Sequence, residues 1–455
     1  MLFEGNDFGP YDKAERSARK AYELYEDGKL TQALTQLDKA LEVNPTNSAW
    51  HFNRGLTLDA INRFEEAIIE YETALQLSPN DLEILNALAV DYTRTGLYDK
   101  ALTTFEYIQE MDPKFEPCYC NRIITYAEMG QHDMAEQMFY LAQQVDEDCA
   151  LCYYNIGNSL FARGQHKKAV RCWLRTAELE PTHPEINYRI AQAYWSDGDG
   201  KKAREHFLAE LRLNPGAVDV IMDFALFLLE TGDLESAKEK FHRILELDPN
   251  FALASFYLGE MALDRGDRTA ATALFEEALQ QDANLPGPHF RLAQCALAAQ
   301  QQAEAKKHLL AELEQEIEDA NTLISMGSMF LMLEDPEHAT PCVLRAVGLD
   351  MGNANAHYYL GVTAANKGQL AEAERFFTRA LELNATHTGA LRDSAFVYLT
   401  CGQADQAAER VACARALLPD DSELRMLDYS IRLVRVLQRL GRALSRLNPR
   451  RILHR

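Results

Sequence analysis

Residues 64–81 read FEEAIIEYETALQLSPND. An alanine (Ala67) is followed four residues on by an aromatic (Tyr71), then by a second alanine (Ala74) and a proline (Pro79). Nearly the same order returns at 169–183, AVRCWLRTAELEPTH, and at 373–387, AERFFTRALELNATH. Apolar residues three and four apart describe one face of an amphipathic helix, which proline cannot continue. The stretch predicts a helix with a proline stop, and its recurrence predicts a repeat.

The period is fixed. Ala33, Ala67, Ala101, Ala135, Ala169, Ala203, Ala237, Ala271, Ala305, Ala339, Ala373 and Ala407 stand 34 residues apart, giving twelve unbroken units over about 14–421. Twelve positions before each alanine stands a small residue, such as Gly55, Ala89, Gly157 or Gly361; only Ile123 departs. Four positions after it stands a large one, such as Tyr71, Phe105, Trp173 or Phe377. Gly28, Gly96, Gly130, Gly164, Gly198, Gly232, Gly266, Gly368 and Gly402 share one phase, where a turn between two helices needs positive φ. Each unit therefore reads as a helical hairpin. The small residues are expected to let its helices approach, and the large ones to fill the gap to the next hairpin. A lone hairpin cannot bury its apolar stripe, so neighbours must stack.

These residues resemble the tetratricopeptide repeat family. One unit carries the family's small–small–aromatic–Ala–Pro pattern in Gly157, Leu160, Ala169, Trp173 and Pro181. The resemblance covers about 14–421. It implies an all-α fold, a right-handed α-solenoid of about twelve helix-turn-helix repeats, making more than one superhelical turn. It further implies that the first helix of each pair lines a concave groove.

The pattern loosens toward the rear. The four units from 252 to 387 lack the closing proline, and Asn62, Gln300 and Glu334 replace the turn glycine. LPGPHF (285–290) puts two prolines at the entry of the ninth unit, and Pro341 should kink a helix. The expected organisation is an extension at 1–13, a regular array of eight repeats at 14–285, a more degenerate array of four at 286–421, an Arg-rich helix at 422–447 and a basic tail at 448–455. The segment 283–288 is a candidate hinge, against the alternative that the array is continuous.

Family geometry points certain side chains into the groove. They include Tyr154, Asn155, Asn158, Tyr188, Arg189, Gln192 and Trp195, and in the ninth unit Phe290, Arg291 and Gln294. Asn53 and Asn121 share the phase of Asn155 and look like part of an asparagine ladder. Amides and guanidinium groups bond a peptide backbone, and aromatics supply contact area. Asp219, Asp223, Glu230, Glu260 and Asp264 make the seventh and eighth units acidic, so a peptide of mixed or basic character is expected. The alternative is an ordinary solvated helix face. A clamp for a C-terminal carboxylate, as in chaperone adaptors of the family, is disfavoured: Asn155 and Arg189 match, but Cys120, Ile124 and Glu185 stand where Lys, Asn and Lys are wanted.

Composition excludes other classes. The chain has 455 residues and a net charge of −23, which opposes binding to nucleic acid. Its apolar runs are too short for a membrane span, and MLFEGNDFGPYDK has acids where a signal peptide needs bases, so a cytoplasmic protein is expected. Cys118, Cys120, Cys149 and Cys152 fall in adjacent units, with Cys118 and Cys152 at one phase. Four thiolates suit zinc, yet buried packing between helices is the expected role, with no metal or other cofactor. SDGDGKKA (196–203) lacks the residues of a phosphate or calcium loop, and no nucleophile–base pair is visible, so no catalytic residue is expected.

The segment 422–455 holds nine Arg and two acids, a net +7 that leaves −30 on the rest. Leu427, Ile431, Val434, Leu437, Leu440, Leu444 and Leu447 form an apolar stripe; Arg432, Arg435, Arg439, Arg442 and Arg446 lie opposite. The helix is expected to cap the last repeat, to dock on an acidic partner, or to meet an anionic membrane. The expected function is a non-catalytic scaffold binding a peptide or protein surface. The alternatives are a membrane-recruited assembly factor and a substrate-recognition subunit of an enzyme such as a glycosyltransferase.

Overall fold

The structure, a computed structural model, describes residues 10–446, with side chains for 11–440. Most of the 1–13 extension, Leu447 and the 448–455 tail lie outside the described residues, as do the side chains of Arg442, Leu444 and Arg446. The chain divides into two compact units, 1–232 and 233–455.

The first unit stacks six hairpins. These are α1 (Pro10–Glu26) with α2 (Leu30–Val43), α3 (Ser48–Asp59) with α4 (Phe64–Leu77), and α5 (Leu82–Arg94) with α6 (Tyr98–Met111). Then come α7 (Glu116–Glu128) with α8 (His132–Val145), α9 (Ala150–Ala162) with α10 (His166–Leu179), and α11 (Ile186–Ser196) with α12 (Gly200–Leu213); α13 (Val218–Glu230) closes the unit. The second unit begins with α14 (Leu234–Leu247). Its hairpins are α15 (Ala252–Asp264) with α16 (Arg268–Gln281), α17 (Pro288–Ala298) with α18 (Gln302–Leu313), and α19 (Ala320–Met332) with α20 (Pro336–Leu349). They continue as α21 (Ala354–Asn366) with α22 (Leu370–Leu383) and α23 (Thr388–Thr400) with α24 (Ala404–Leu417), followed by α25 (Ser422–Arg446). No strand occurs among the described residues. The boundary between units falls at Gly232–Asp233, in the turn of the seventh repeat, and 283–288 lies inside the second unit.

The core is a chain of local clusters. One runs from Tyr119 to Ala193 across α7–α11, another from Leu34 to Cys118, and others from Phe290 to Leu360 and from Ala364 to Leu424. Within each unit these clusters join successive repeats. The period-setting alanines are at 0% exposure at Ala33, Ala169 and Ala373. The large residue four positions on lies over the small residue of its own hairpin, rather than serving only the gap to the next. A Cβ built on Gly157 would come within 2.4 Å of Trp173 Nε1, and one on Gly361 within 2.5 Å of Phe377. Glycine at these positions makes room for the ring.

The interhelix turn keeps its backbone conformation without glycine. Asn62, Gln300 and Glu334 adopt φ of 61°, 61° and 56°, the left-handed region of the turn glycines. Their backbone N–H groups make the same return bond, as Gln300 N–H does to Leu297 O at 2.9 Å. The preserved turn is why the three substitutions leave the repeat phase intact. Helix α20 likewise runs on through Pro341.

Two first helices start late. Both α11 and α17 have 11 residues, against 13 for α9 or α13, and both follow a positive-φ residue, Glu185 at 60° and Gly287 at 108°. Neither has a side-chain N-cap. A glutamate on the second helix of the same hairpin supplies the acceptor instead. Glu312 is 1% exposed and takes Gly287 N–H at 2.7 Å and Phe290 N–H at 3.0 Å. Glu210 takes the N–H groups of Tyr188 and Asn187 in the same way. Burial pushes both carboxyls above their ordinary range, and these N–H donors oppose it. At this phase other repeats have Ala40, Ala74 or Ala142. The candidate hinge is therefore tied to its own repeat.

Helix α25 caps the last hairpin. Leu424 and Ile431 are buried, Arg435 pairs with Asp405 at 2.8 Å, and Gln438 Nε2–H donates to Gly402 O at 3.0 Å. The apolar stripe read from the sequence is displaced. Leu437 and Leu440 are 58% and 54% exposed, because the contact line follows 424, 427, 431, 434 and 438. Arg435 lies on the packed side, and Arg432 pairs with Asp428 at 2.8 Å. Arg439 is exposed. Among the described residues no helix is long and apolar enough to cross a membrane.

Candidate functional site

First helices of successive repeats lie side by side and are joined by bonds between residues 35 apart. Asn121 Nδ2–H donates to Asn86 Oδ1 at 3.0 Å, Tyr188 O–H to Asp223 at 2.7 Å, Trp195 Nε1–H to Glu230 at 2.6 Å, and Tyr358 O–H to Asp393 at 2.9 Å. The offset of one residue beyond the period places a donor on one first helix opposite an acceptor on its neighbour.

The richest part of this face is carried by α9, α11 and α13. Asn158, Tyr154, Tyr188, Arg189, Gln192 and Trp195 are half-buried, each with one edge in solvent. Asp223 joins them: one carboxylate oxygen accepts both Tyr188 O–H and Gln192 Nε2–H, the latter at 2.9 Å. Burial and then Asp223 push the Tyr188 hydroxyl above its usual range, so it stays a donor. The Tyr154 ring lies 4.4 Å from that of His183. The Arg189 side chain is 39% exposed, and among the described residues its one carboxylate partner is Glu185 at 3.9 Å. The face therefore offers one available guanidinium, several aromatic edges and the carboxylates of Asp219, Asp223 and Glu230. That combination suits an extended chain with alternating donors and acceptors.

Other residues expected in the groove are placed differently. Asn155 is 6% exposed and its amide lies 3.5 Å from Cys120 O, so it faces the core. Phe290 is 8% exposed and packs in the core beneath α17. Asn155 is turned toward the preceding hairpin, and Phe290 toward its own hairpin and the one that follows. Asn53 and Asn121 are half-buried, and Asn121 is held by Asn86 of the preceding repeat. In the second unit Arg291 pairs with Glu260 at 2.5 Å and donates to Gln294 at 3.0 Å, a self-contained cluster. The sequence reading missed Asn86 and His183 as neighbours of the site. The 35-residue offset is the signal that finds Asn86.

Stacked hairpins with this phase define a helical-repeat protein whose first helices present a shared face. The chain belongs to the tetratricopeptide repeat family: a model of that repeat matches residues 18–81, 154–218, 222–286 and 330–387, and a second model of it matches 364–427. Over 85 residues the chain is 31% identical to the inactive TPR repeat-containing thioredoxin TTL3 of Arabidopsis thaliana; the match covers 19% of this chain and 12% of that protein. Among solved structures, yeast Tom70 is similar at 14% identity and a TM-score of 0.37, covering 94% of this chain and 96% of its own. A tetratricopeptide repeat protein of Parabacteroides merdae is similar at 21% identity and a TM-score of 0.43, over 53% of this chain and 96% of its own. The repeats make the chain, in general terms, a protein-interaction scaffold.

Proposed function

We propose that this is a non-catalytic scaffold whose first-helix face on α9, α11 and α13 takes an extended peptide segment of mixed or basic character. The observation that carries the reading is the continuous run of half-exposed Tyr154, Asn158, Arg189, Gln192 and Trp195 beside Asp223 and Glu230. Aromatic edges provide area, Arg189 meets a carboxylate or carbonyl, and the acids select against an acidic ligand. Tyr154→Ala with Arg189→Glu changes the face while leaving the core residues in place. Affinity capture with this double variant is expected to lose most partners held by the native chain. An unchanged set of partners refutes the site.

Helix α25 supports a second reading, recruitment to an anionic lipid surface. Met426, Tyr429, Leu433, Val436, Leu437 and Leu440 are all more than half exposed along one helix that also carries Arg439. Apolar side chains beside arginines suit an interfacial helix. Vesicles containing phosphatidylserine are expected to sediment the full chain, and to lose it when Leu433, Leu437 and Leu440 are replaced by serine. Equal sedimentation of both chains, or of neither, removes this reading.

A further inference from the structure

The first turn of α7 and the start of α9 bring together a group of side chains that the interaction face does not use. Of the four cysteines close in sequence, the structure sets Cys118 apart: its thiol is fully buried and donates to Phe105 O at 3.1 Å. Glu116 takes its place. The ligand atoms of Glu116, Cys120, Cys149 and Cys152 all lie within 4.8 Å of one another. Glu116 Oε1 is 2.7 Å from Cys149 Sγ and 3.1 Å from Cys152 Sγ.

Local structure explains the convergence. Glu116 and Cys120 are four residues apart and share a face of α7. Cys149 is the N-cap of α9, and its sulfur accepts the Cys152 N–H at 3.2 Å, which sets both thiols at one helix end. The positive end of α9 favours thiolate there. Asn155 adds a donor from outside the group, its Nδ2 3.6 Å from Cys120 Sγ. Metal ligands typically have such outer partners. Cys120 and Cys152 are each 1% exposed, while Cys149 and Glu116 reach the surface and leave an entry path.

The electrostatics lack a positive charge. Among the described residues no Lys, Arg or His ion-pairs with Glu116, whose carboxylate oxygen meets the two thiols instead. Four acidic groups in a half-buried pocket hold little charge unless a cation joins them. A tetrahedral zinc ion with bonds of about 2.0–2.3 Å spaces its ligands about 3.8 Å apart, a distance this group meets after small rotations.

We propose that Glu116, Cys120, Cys149 and Cys152 form a zinc site that clamps the fourth repeat to the fifth. Three thiols release their protons to solvent as three Zn–S bonds form, and the Glu116 carboxylate supplies the fourth ligand. Zn²⁺ against four anionic ligands leaves the site at net −2, moderated by the Cys152 and Asn155 N–H groups and the helix end. The soft ligand set favours Zn²⁺ over Mg²⁺ or Ca²⁺. The site is independent of the proposed interaction face, though Tyr154 follows Cys152 on the same helix.

The test uses the full chain, purified without chelator and without a histidine tag. Elemental analysis is expected to give one zinc per chain, retained through gel filtration. Replacement by Co²⁺ is expected to give the visible absorption of a tetrahedral site and a near-ultraviolet thiolate-to-metal band. Cys149→Ser with Cys152→Ser should lose the zinc, and Cys118→Ala should keep it. Native chain that binds neither zinc nor Co²⁺ overturns the proposal whatever the variants do. So does an intact mass showing Cys149 and Cys152 joined as a disulfide after purification under reducing conditions, or zinc that survives the double replacement.

Discussion

Replacing Trp173 by alanine is expected to destabilise the first unit by about 3–5 kcal/mol. The indole is 1% exposed, its Nε1–H donates to Tyr154 O at 3.2 Å, and it fills the space over Gly157. It also packs against the Phe161 ring at 5.6 Å. Removing it leaves a cavity between the helices of one hairpin and takes away the side-chain hydrogen bond to α9. Urea unfolding of native and variant chains measures the loss. Gly157→Ala gives an internal control. Alone it is expected to cost about 1–3 kcal/mol, because the new methyl meets the indole. In the Trp173→Ala background most of that cost should vanish, since the ring is gone. Additive losses would show that the ring does not lie over the glycine.

Replacing Glu312 by alanine is expected to cost about 2–4 kcal/mol, since buried N–H donors left without an acceptor cost about 1–3 kcal/mol each. Gly287 and Phe290 lose their acceptor, and no side chain caps α17 in its place. Glu312→Gln keeps a carbonyl oxygen and should recover part of the loss. Hydrogen exchange over 285–298 should quicken in the alanine variant ahead of the rest of the second unit. An unchanged midpoint with unchanged exchange would mean that Glu312 does not hold the entry of the ninth repeat.

The same residues show what the sequence carries. A fixed period with small, large and turn positions at constant phase dictates hairpins, because each position has one packing role. Phase alone does not say which way a half-polar residue rolls. Asn155 shares its phase with Asn53, yet it turns into the core beside Cys120, while Asn53 stays half-buried. Phe290 is drawn inward in the same way. The late starts of α11 and α17 are legible in a pairing: Pro184 with Glu210, and Pro286 with Glu312, share one phase and one spacing. The cysteine group escaped for a related reason. Equivalence of phase pairs Cys118 with Cys152, whereas packing of α7 on α9 is offset and brings Cys120 and Glu116 forward. The Arg-rich helix reads correctly as amphipathic, but its contact line depends on where Asp405 and Gly402 lie, which periodicity does not encode.

On the proposed reading, the first-helix face around α9 and α11, rather than the second helices of the hairpins, meets the partner. A photo-crosslinking residue placed at Asn158 on α9, or at Arg171 on the exposed side of α10, tests it directly in cell extract. Adducts at position 158, with few or none at 171, are the expected result. Adducts at 171 with none at 158 would contradict it.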